Sequence, residues 1–391
     1  MPTNSEFWET SQICSKPRIG IIGGGQLAWM LAAAARRLGF ELAVQTPHAD
    51  DPAVALAHRV VCAPLTDIAA TAKLAETCDY LSFENEFIDV AGLQRLAECG
   101  VCFRPSLTAI APLLDKYNQR HWLRDLGLPV PDFRCWQDWG APPPFGFPMV
   151  LKARRHGYDG QGTFIVRDAA ALTALGDRLG HPELLIEAFI PFERELAILA
   201  ARGVGGEIEL YPIVETEQEQ QVCRRVFVPA PLQPEQEREI TAIARTIIAG
   251  LNLVGLIGIE LFCTADGRIW VNEIAPRTHN SGHYSLDACT TSQFSMQLQA
   301  VAGRPLPSVH LLSPSAATIN LLGYEQAQSD YAAEREKLAT LPGAHVYWYG
   351  KSAARPGRKL GHVTLCLPLA DLSLARAQAS LAEAIWRRQA S

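Results

Sequence analysis

The sequence predicts a protein of mixed α/β and α+β class that is divided into several units. Strand-like and helix-like segments alternate through roughly the first hundred residues, which is typical of a parallel sheet. A proline-rich stretch at 127–144 then interrupts regular structure. Beyond it, short apolar runs bounded by turns indicate antiparallel strands with fewer helices. A chain of 391 residues can form two or three domains with buried cores, so its length fits this division.

The amino-terminal unit is predicted over residues 18–115, after a disordered extension at 1–17. Its first apolar strand leads through a glycine loop into a helix that Gly39 closes at the C′ position. The predicted strands are Arg18–Ile22, Glu41–Thr46 and Asp79–Phe83, and the predicted helices are Gln26–Leu38, Ile68–Glu76 and Val90–Glu98. This alternation favours one parallel sheet.

A second unit is predicted over 116–197 and a third over 198–391. The second begins with a helix ending at Leu126 and continues with strands Pro148–Ala153, Thr163–Val166 and Leu184–Phe189 and helix Ala169–Leu179. The third contains strands Glu207–Val214, Gly258–Cys263, Arg268–Asn272, Ala317–Leu321 and His345–Tyr349, helix Pro234–Leu251 and a helix from Leu372 to the end. The turn Thr264-Ala-Asp-Gly267 predicts that two of these strands form a hairpin.

Charge and composition narrow the possible partners. The formal net charge is −6 and the isoelectric point is near 6.0, so no overall basic field is present to bind nucleic acid. A few cations gathered in one cleft could still bind small phosphorylated ligands.

The cysteines and the apolar runs indicate a cytoplasmic protein. Among ten cysteines only Cys99 and Cys102 form a CxxC pair, and no second pair completes a zinc site, so we expect reduced cysteines. The longest charge-free run, 19–35, is 17 residues long and contains three consecutive glycines, which argues against a membrane span. Acidic residues at Glu6 and Glu9 argue against a signal peptide.

The glycine loop Gly23-Gly-Gly-Gln-Leu-Ala28 fits the G-x-G-x-x-(G/A) pattern between a strand and a helix. A dinucleotide site also requires an acidic residue about 20 positions later, and this sequence has Gln45-Thr46-Pro47 there. A nicotinamide site is therefore disfavoured. The loop either binds a substrate phosphate or forms a tight turn without a ligand.

Two glutamates lie in the apolar strands of the predicted hairpin. Antiparallel pairing about the turn brings Glu260 and Glu273 to neighbouring positions on one face. Adjacent carboxylates repel each other and are costly to bury ionised unless a cation lies between them. The pattern indicates a Mg²⁺ site with Asn272 as a further oxygen ligand, and the alternative is that both carboxylates face solvent.

Longer motifs carry a resemblance to a known family. They are Gly23-Gly-Gly-Gln-Leu27, Phe83-Glu-Asn-Glu86, Lys152, Gly157-Tyr-Asp-Gly160, Asn272-Glu-Ile-Ala-Pro-Arg-Thr-His-Asn-Ser-Gly-His283, Thr291-Ser-Gln-Phe294, Lys351 and Arg358-Lys-Leu-Gly-His362. Through them, residues 18 to about 370 closely resemble the N5-carboxyaminoimidazole ribonucleotide synthases, which are ATP-grasp ligases of purine biosynthesis. The resemblance implies an ATP-grasp fold with a Rossmann-like amino-terminal domain, a small central lid domain and a carboxyl-terminal domain.

The same resemblance implies a reaction and its ligands. Members convert ATP, bicarbonate and 5-aminoimidazole ribonucleotide into ADP, phosphate and the N5-carbamate by way of carboxyphosphate. The implied cofactors are ATP and two Mg²⁺ ions, or Mn²⁺, with the metals on Glu260 and Glu273. The implied assembly is a cytoplasmic homodimer that binds neither nucleic acid nor membrane.

The resemblance also assigns residues to the ligands. ATP is expected to contact Lys116, Lys152, Gly157, Gly160, Gln161, Gly162, Glu187, Ala188, Phe189, Ile190, Glu195, Gln218, Asn272 and Glu273. The ribonucleotide is expected to contact Gly25, Gln26, Leu27, Glu84, Asn280, Ser281, Lys351 and Arg358. The expected catalytic residues are Tyr158, Asp159, Arg277 and His279, of which Asp159 steers the amine and handles its proton. Glu187 is expected to take the adenine amino group, and Glu195 the ribose.

Three positions depart from the family pattern. Lys116 stands where many members have arginine, which keeps the charge and loses the bidentate fork. Gln161 replaces a loop cation, and Gln218 replaces a histidine, so this side chain cannot titrate near neutral pH. The alternatives are another ATP-grasp ligase of the formate-using glycinamide ribonucleotide transformylase type, a nicotinamide-dependent oxidoreductase, and a catalytically inactive nucleotide-binding regulator.

Overall fold

Three sheets organise the computed structural model, which describes residues 16–155, 157, 162–351 and 353–388. Within these residues a four-stranded parallel sheet comes first, and a four-stranded antiparallel sheet follows it. A nine-stranded antiparallel sheet and a two-stranded ribbon complete the fold. The predicted mixture of an α/β unit with α+β units is confirmed.

The amino-terminal unit is a parallel sheet with the strand order β3-β2-β1-β4. Its elements are β1 (Arg18–Ile22), α1 (Gln26–Leu38), β2 (Glu41–Thr46), β3 (Arg59–Cys62), α2 (Ile68–Ala75), β4 (Tyr80–Phe83) and α3 (Val90–Glu98). Gly39 ends α1 with φ +71, as its C′ position predicts. In register, Ile22 lies beside both Gln45 and Phe83, so the loops after β1, β2 and β4 meet at one edge.

Two short helices connect this sheet to the next. They are α4 (Leu107–Ile110) and α5 (Lys116–Asp125). Asp115 is the N-cap of α5 and accepts hydrogen bonds from the N–H groups of Tyr117 and Asn118. The Lys116 N–H donates to the carbonyl of Arg154, so the start of α5 is tied to the central unit.

The central unit is an antiparallel sheet with the order β5-β8-β6-β7. Its elements are β5 (Phe133–Trp136), β6 (Met149–Ala153), β7 (Thr163–Val166), α6 (Ala169–Leu179) and β8 (Leu184–Ala188). The predicted elements of this unit are confirmed to within a residue at each end, and β5 was not predicted. A small apolar core that includes Met149, Leu151 and Ile186 packs between the sheet and α6.

The nine-stranded sheet has the order β14-β13-β9-β11-β12-β15-β19-β17, with β10 paired to β9. Its strands are β9 (Phe192–Arg202), β10 (Ile208–Leu210), β11 (Val214–Glu219), β12 (Val222–Val228), β13 (Gly255–Thr264), β14 (Ile269–Ala275), β15 (Ser315–Leu322), β17 (Ala344–Trp348) and β19 (Lys359–Leu367). The two-stranded ribbon is β16 (Ala327–Gln328) with β18 (Ala353–Ala354). The helices are α7 (Pro234–Gly250), α8 (Ser285–Ala288), α9 (Gln293–Val301), α10 (Ala332–Ala339) and α11 (Leu372–Trp386).

Two expectations about this sheet require correction. The expected boundary between residues 197 and 198 falls inside the continuous strand β9, so the central sheet ends instead at Ala188, just before β9. The predicted strand Glu207–Val214 is two strands, β10 and β11, with Tyr211, Pro212 and Ile213 between them. Proline has no N–H to donate to a neighbouring strand, which explains the interruption.

The sheets are joined through two helices. Helix α7 has a proline at N1 and buries Ile240, Ile243 and Ile247 against the face of the large sheet. Helix α9 packs against α1 of the amino-terminal unit on one side and lies near β13 on the other. The parallel sheet is therefore fixed to the large sheet by buried apolar contacts.

Among the described residues, none of the helices combines the length and the apolar character that a membrane span requires.

Candidate active site

A cavity of about 570 Å³ lies where the three sheets meet. Its wall combines the loops after β1, β2 and β4 with β6, the segment after β8, and the strands β9, β11, β13 and β14. The expected site residues that line it are Gly25, Gln26, Leu27, Glu84, Lys116, Lys152, Gly157, Glu187, Ala188, Phe189, Ile190, Glu195, Gln218, Glu260, Asn272, Glu273, Arg277, His279, Asn280 and Ser281. The fold thus brings together residues that are separated by up to 256 positions in the chain.

Five further expected residues belong to the glycine-rich segment between β6 and β7. Tyr158, Asp159, Gly160 and Gln161 lie outside the described residues. Gly162 is described and has φ +86, and a Cβ at this position would stand 2.9 Å from the Cβ of Ala153. Both the backbone conformation and the close approach therefore require glycine.

The two cations expected at the ribonucleotide phosphate, Lys351 and Arg358, do not line the cavity. The Lys351 ammonium donates to the side-chain oxygen of Gln26 at 2.9 Å, and Gln26 does line it. Arg358 donates to the carbonyl of Ala353. The wall instead includes Lys359, the residue after Arg358, which the sequence reasoning did not single out.

The hairpin of β13 and β14 places the two carboxylates opposite each other. Glu260 pairs with Glu273, whereas Leu261 pairs with Val271, so Asn272 is an extra residue in β14. Such a β-bulge leaves one residue unpaired and bends the strand. Because of it, Glu273 rather than Asn272 lies opposite Glu260, and the side chains of both residues line the cavity.

These two carboxylates differ in their ionisation. Burial and the charge of Glu273 raise the pKa of Glu260 to about 7. Burial also acts to raise the pKa of Glu273, but the Lys116 ammonium 2.5 Å away, together with Lys152 and Arg120, outweighs burial, and the pKa of Glu273 is lowered. The Lys116 ammonium thus offsets the charge of Glu273, whereas ionising Glu260 places a second negative charge beside Glu273.

The arrangement fits a divalent cation. Glu260, Glu273 and the amide oxygen of Asn272 are hard oxygen ligands at one end of the cavity. In the described part of the chain, no group of three or more His, Cys, Asp or Glu side chains is arranged to hold a metal. Mg²⁺ at nucleotide sites takes one or two carboxylates and completes its shell with phosphate oxygens and water, so two carboxylates suffice.

A second charged cluster lies beside the first. The Glu187 carboxylate binds Arg120, and it accepts from the Lys152 ammonium at 2.8 Å. Burial would raise the pKa of Glu187, but these two cations lower it to about 2. Burial lowers the pKa of Lys152, which also donates to the Asn272 side-chain oxygen at 3.0 Å. Lys152 therefore links the Glu187 cluster to the bulge of β14.

The segment after β8 continues this wall with its backbone. Ala188 pairs through its N–H with the carbonyl of Asp132, and Phe189 and Ile190 line the cavity beyond it. Phe262, also in the wall, stacks on Phe192 with ring centroids 4.4 Å apart. Burial and then the charge of Glu260 raise the pKa of the neighbouring Glu195 to about 8. The stacked rings of Phe192 and Phe262 give this part of the wall a flat apolar surface.

The glycine loop binds a carboxylate of the protein itself. The buried Glu84 accepts hydrogen bonds from the N–H groups of Gly25, Leu27 and Ala28 at 2.7, 3.0 and 3.2 Å. Burial raises the pKa of Glu84, and these three bonds oppose the change. A phosphate bound at the start of α1 would need the same N–H groups. The suggestion that the loop holds a phosphate is therefore corrected, and a dinucleotide could not bind there in the usual way.

At the same end, Arg277 and His279 are held by residues on three elements. Arg277 pairs with Glu86 of the amino-terminal unit at 3.0 Å. His279 lies 3.4 Å from Glu260, and its ring nitrogen Nδ1 hydrogen-bonds to the Ser281 hydroxyl. The Gln293 amide pairs with both the N–H and the carbonyl of His279. The imidazole is thereby held beside Glu260.

Sequence reasoning missed the supporting residues, above all Arg120, Glu86 and Gln119. Glu86 was quoted in the motif Phe83-Glu-Asn-Glu86 without a role. Arg120 had one usable signal, since it follows Lys116 at the i+4 spacing that puts two side chains on one helix face.

Comparison with known proteins agrees with this geometry. Residues 17–111 match the ribonucleotide synthetase preATP-grasp domain, and residues 121–294 match the ATP-grasp domain. Residues 316–375 match the phosphoribosylaminoimidazole carboxylase carboxyl-terminal domain. The fold and the site thus define an ATP-grasp enzyme, an ATP-dependent carbon–nitrogen ligase by class.

Individual relatives give the family. The N5-carboxyaminoimidazole ribonucleotide synthase of Synechococcus elongatus is 54% identical over 378 residues, covering 94% of this chain and 95% of its own. The Staphylococcus aureus synthetase in complex with ADP superposes with a TM-score of 0.86 at 30% identity, covering 94% of this chain and 96% of its own. The Aspergillus clavatus enzyme with ADP and 5-aminoimidazole ribonucleotide has a TM-score of 0.87 at 29% identity, covering 95% and 99%. The chain belongs to the N5-carboxyaminoimidazole ribonucleotide synthase family.

Proposed function

We propose that this protein uses ATP to carboxylate 5-aminoimidazole ribonucleotide with bicarbonate, giving N5-carboxyaminoimidazole ribonucleotide, ADP and phosphate. The observation that carries the proposal is the composition of one cavity. The same cavity is lined by the carboxylate pair Glu260 and Glu273, by the cations Lys116, Lys152, Arg277 and Lys359, and by the glycine loop. These cations can compensate the charge of two anionic ligands bound in one cavity. Relatives solved with ADP and with the ribonucleotide support this assignment.

In the first step, a bicarbonate oxygen attacks the γ-phosphorus of ATP, the bond to the β-bridging oxygen breaks, and carboxyphosphate and ADP form. Such a transfer requires positioning and charge neutralisation more than covalent help. Mg²⁺, or Mn²⁺, held by Glu260, Glu273 and the Asn272 oxygen would neutralise charge on the phosphates. Lys116 and Lys152 would bind phosphate oxygens; Lys116 already pairs with Glu273, and Lys152 pairs with Glu187.

In the second step, the exocyclic amine forms a bond to the carboxyl carbon, the bond from that carbon to the phosphate oxygen breaks, and phosphate leaves. The amine gives up a proton, which we assign to Asp159, with Tyr158 beside it. Arg277 and His279 would hold the carboxyl group, since both line the cavity and His279 lies 3.4 Å from Glu260. The Gln26 side chain, bound to Lys351, together with Asn280 and Ser281, would contact the nucleotide.

For ATP, the segment Ala188–Ile190 would meet the adenine edge and Glu195 the ribose. The Glu187 carboxylate binds Arg120 and Lys152, so we propose that it also orders these two cations, besides meeting the adenine amino group. Gly157, Gly160, Gln161 and Gly162 would close over the phosphates, and Gln218 would donate a hydrogen bond to the nucleotide. We further propose a cytoplasmic homodimer, as for the family.

The proposal is tested by ADP release from the purified protein. We expect release to require Mg²⁺ and to rise severalfold only when bicarbonate and the ribonucleotide are both present. Formate in place of bicarbonate should give no stimulation, which separates this reaction from that of a formate-using ligase. If bicarbonate and the ribonucleotide together leave ADP release at its basal rate, the assignment fails, and ATP binding without turnover would support an inactive regulator.

The role of Asp159 is tested separately. We expect Asp159→Asn to leave ATP affinity within about twofold and to lower carboxylation by about a hundredfold, because removing a proton acceptor costs on that order. Initial rates and ADP titrations measure the two effects. An unchanged carboxylation rate would remove Asp159 from this role.

A further inference from the structure

Helix α5 carries two site cations on one face, with a buried glutamine between them. Lys116, Gln119 and Arg120 follow one another at spacings of three and one residues. Side chains three and four positions apart lie on the same side of a helix, so Lys116 and Arg120 point toward the same region as Gln119. Lys116 reaches Glu273 of the large sheet, and Arg120 reaches Glu187 of the central sheet.

The Gln119 amide is bound on both of its sides to the backbone of Ile274. Its oxygen accepts from the Ile274 N–H at 3.0 Å, and its nitrogen donates to the Ile274 carbonyl at 3.1 Å. The same nitrogen donates to the carbonyl of Leu113 at 3.3 Å. All these groups are buried, so each lost bond would leave an unpaired polar atom at a cost of about 1–3 kcal/mol.

Ile274 occupies a sensitive place in the sheet. Strand β14 is an edge strand, and Ile274 directly follows the bulge at Asn272 and the carboxylate of Glu273. A bulge disrupts the pairing on the inner side of the strand. On the outer side, the Val271 N–H donates to the carbonyl of Pro129. Gln119 therefore supplies the contact that fixes the strand on the far side of the bulge.

We propose that Gln119 is a positioning residue that sets the distance between α5 and the bulge of β14, and so holds Glu273 and Asn272 where the metal–nucleotide complex needs them. The role rests on the magnesium site of the proposed function. Gln119 touches no ligand itself, since it acts through the backbone of Ile274. Gln119 thereby keeps Glu273, which pairs with Lys116, aligned with the other two metal ligands, Glu260 and Asn272.

The test uses Gln119→Met, which keeps the volume and removes the amide. The matched control is Gln297→Met. Gln297 is buried on α9, accepts from the Leu256 N–H at 2.7 Å and donates to the Ser82 hydroxyl at 3.0 Å, outside the carboxylate end of the cavity. Each variant loses the buried hydrogen bonds of a glutamine side-chain amide, so each should have a lower melting temperature than the wild type.

Binding of Mn²⁺ in the presence of ADP, followed by electron paramagnetic resonance, is the decisive readout. We expect Gln119→Met to weaken Mn²⁺ binding about tenfold, the size expected when one charge-assisted ligand contact is lost. The KM for ATP should rise similarly, while the KM for the ribonucleotide stays within about twofold. Gln297→Met should leave Mn²⁺ binding as in the wild type.

Two results would overturn the inference. Mn²⁺ binding equal to wild type in Gln119→Met, or equally weakened in both variants, would show that Gln119 only stabilises the fold. If Gln119→Met does not fold, Gln119→Asn gives the same comparison, because its shorter amide cannot reach both groups of Ile274. A wild-type protein that fails to bind Mn²⁺ with ADP would overturn the metal site itself, and the inference with it.

Discussion

Single residues show which features of the site can be predicted from the local sequence. A turn between two apolar strands predicted that Glu260 and Glu273 lie at neighbouring positions, and it is the bulge at Asn272 that places them directly opposite each other. The bulge at Asn272 could not be predicted, because it depends on how the partner strand is placed. The loop at Gly25 looked like a phosphate site, but Glu84, 59 residues away, occupies its N–H groups.

A buried histidine near the site gives a prediction for pH. His362 on β19 is fully buried, hydrogen-bonds to the Tyr349 hydroxyl and stacks on Tyr347. Burial lowers its pKa from 6.5 to about 3. Between these two pH values the unfolded chain binds a proton that the folded chain does not. The stability that neutral His362 allows is therefore complete above pH 6.5 and is lost as the pH falls.

We expect wild type to lose about 1 kcal/mol more unfolding free energy than His362→Gln between pH 7 and pH 5.5. Urea unfolding at the two pH values measures the difference. The control His310→Gln changes an exposed histidine and should lose as much stability as wild type. Equal losses in wild type and His362→Gln would contradict the assignment.

Whole elements were predictable where their ends carry strong local signals. Helix α1 ends where Gly39 indicates, and helix α7 begins where Pro234 indicates. The strands β3, β5, β9, β12 and β19 and the ribbon of β16 with β18 were not predicted, because a strand is defined by its neighbours. Strand β9 begins with the charged stretch Phe192-Glu-Arg-Glu195, yet it lies in the interior of the large sheet, between β13 and β11.

One helix supports the cavity from outside. On β11, Glu215 and Glu217 face α11, and Thr216 and Gln218 line the cavity. Arg376 of α11 binds Glu215 at 2.6 Å and Glu217 at 3.1 Å. The carboxylate of Glu215 is buried, so these ion pairs are less screened than surface pairs. Helix α11 thus stabilises the strand that carries Gln218.

We expect Arg376→Met to lower the unfolding free energy by about 1 kcal/mol, a value reduced for the partial exposure of Arg376. Chemical denaturation measures it, and hydrogen exchange of β11 should accelerate. The control Arg238→Met removes an exposed pair with Glu235 on α7 and should cost about 0.3 kcal/mol. Equal costs would show that α11 does not stabilise β11.

At the scale of the whole molecule, the site exists only where the sheets meet. Sequence reasoning predicted the units, but it could not predict the contacts between them, which join residues far apart in the chain. Arg277 with Glu86 is one such contact at the cavity, and Arg104 with the carbonyl of Val301 is one outside the cavity.

We expect Glu86→Gln to raise the KM for the ribonucleotide about tenfold, because Arg277 loses the carboxylate that orients it. The KM for ATP should change less than about twofold. Steady-state kinetics measure both. Arg104→Met, which removes a contact between units outside the cavity, should change neither KM. A rise in both constants with Glu86→Gln would mean that the pair only holds the units together.

The central claim is that this cavity couples ATP cleavage to carboxylation of the ribonucleotide. Bicarbonate labelled with ¹³C and ¹⁸O tests it most directly, with products observed by NMR. We predict one ¹³C-carbamate and one phosphate carrying a bicarbonate oxygen for each ADP formed, because that oxygen attacks the γ-phosphorus and stays on phosphate. Phosphate without ¹⁸O, or ADP formed without labelled carbamate, would contradict the account.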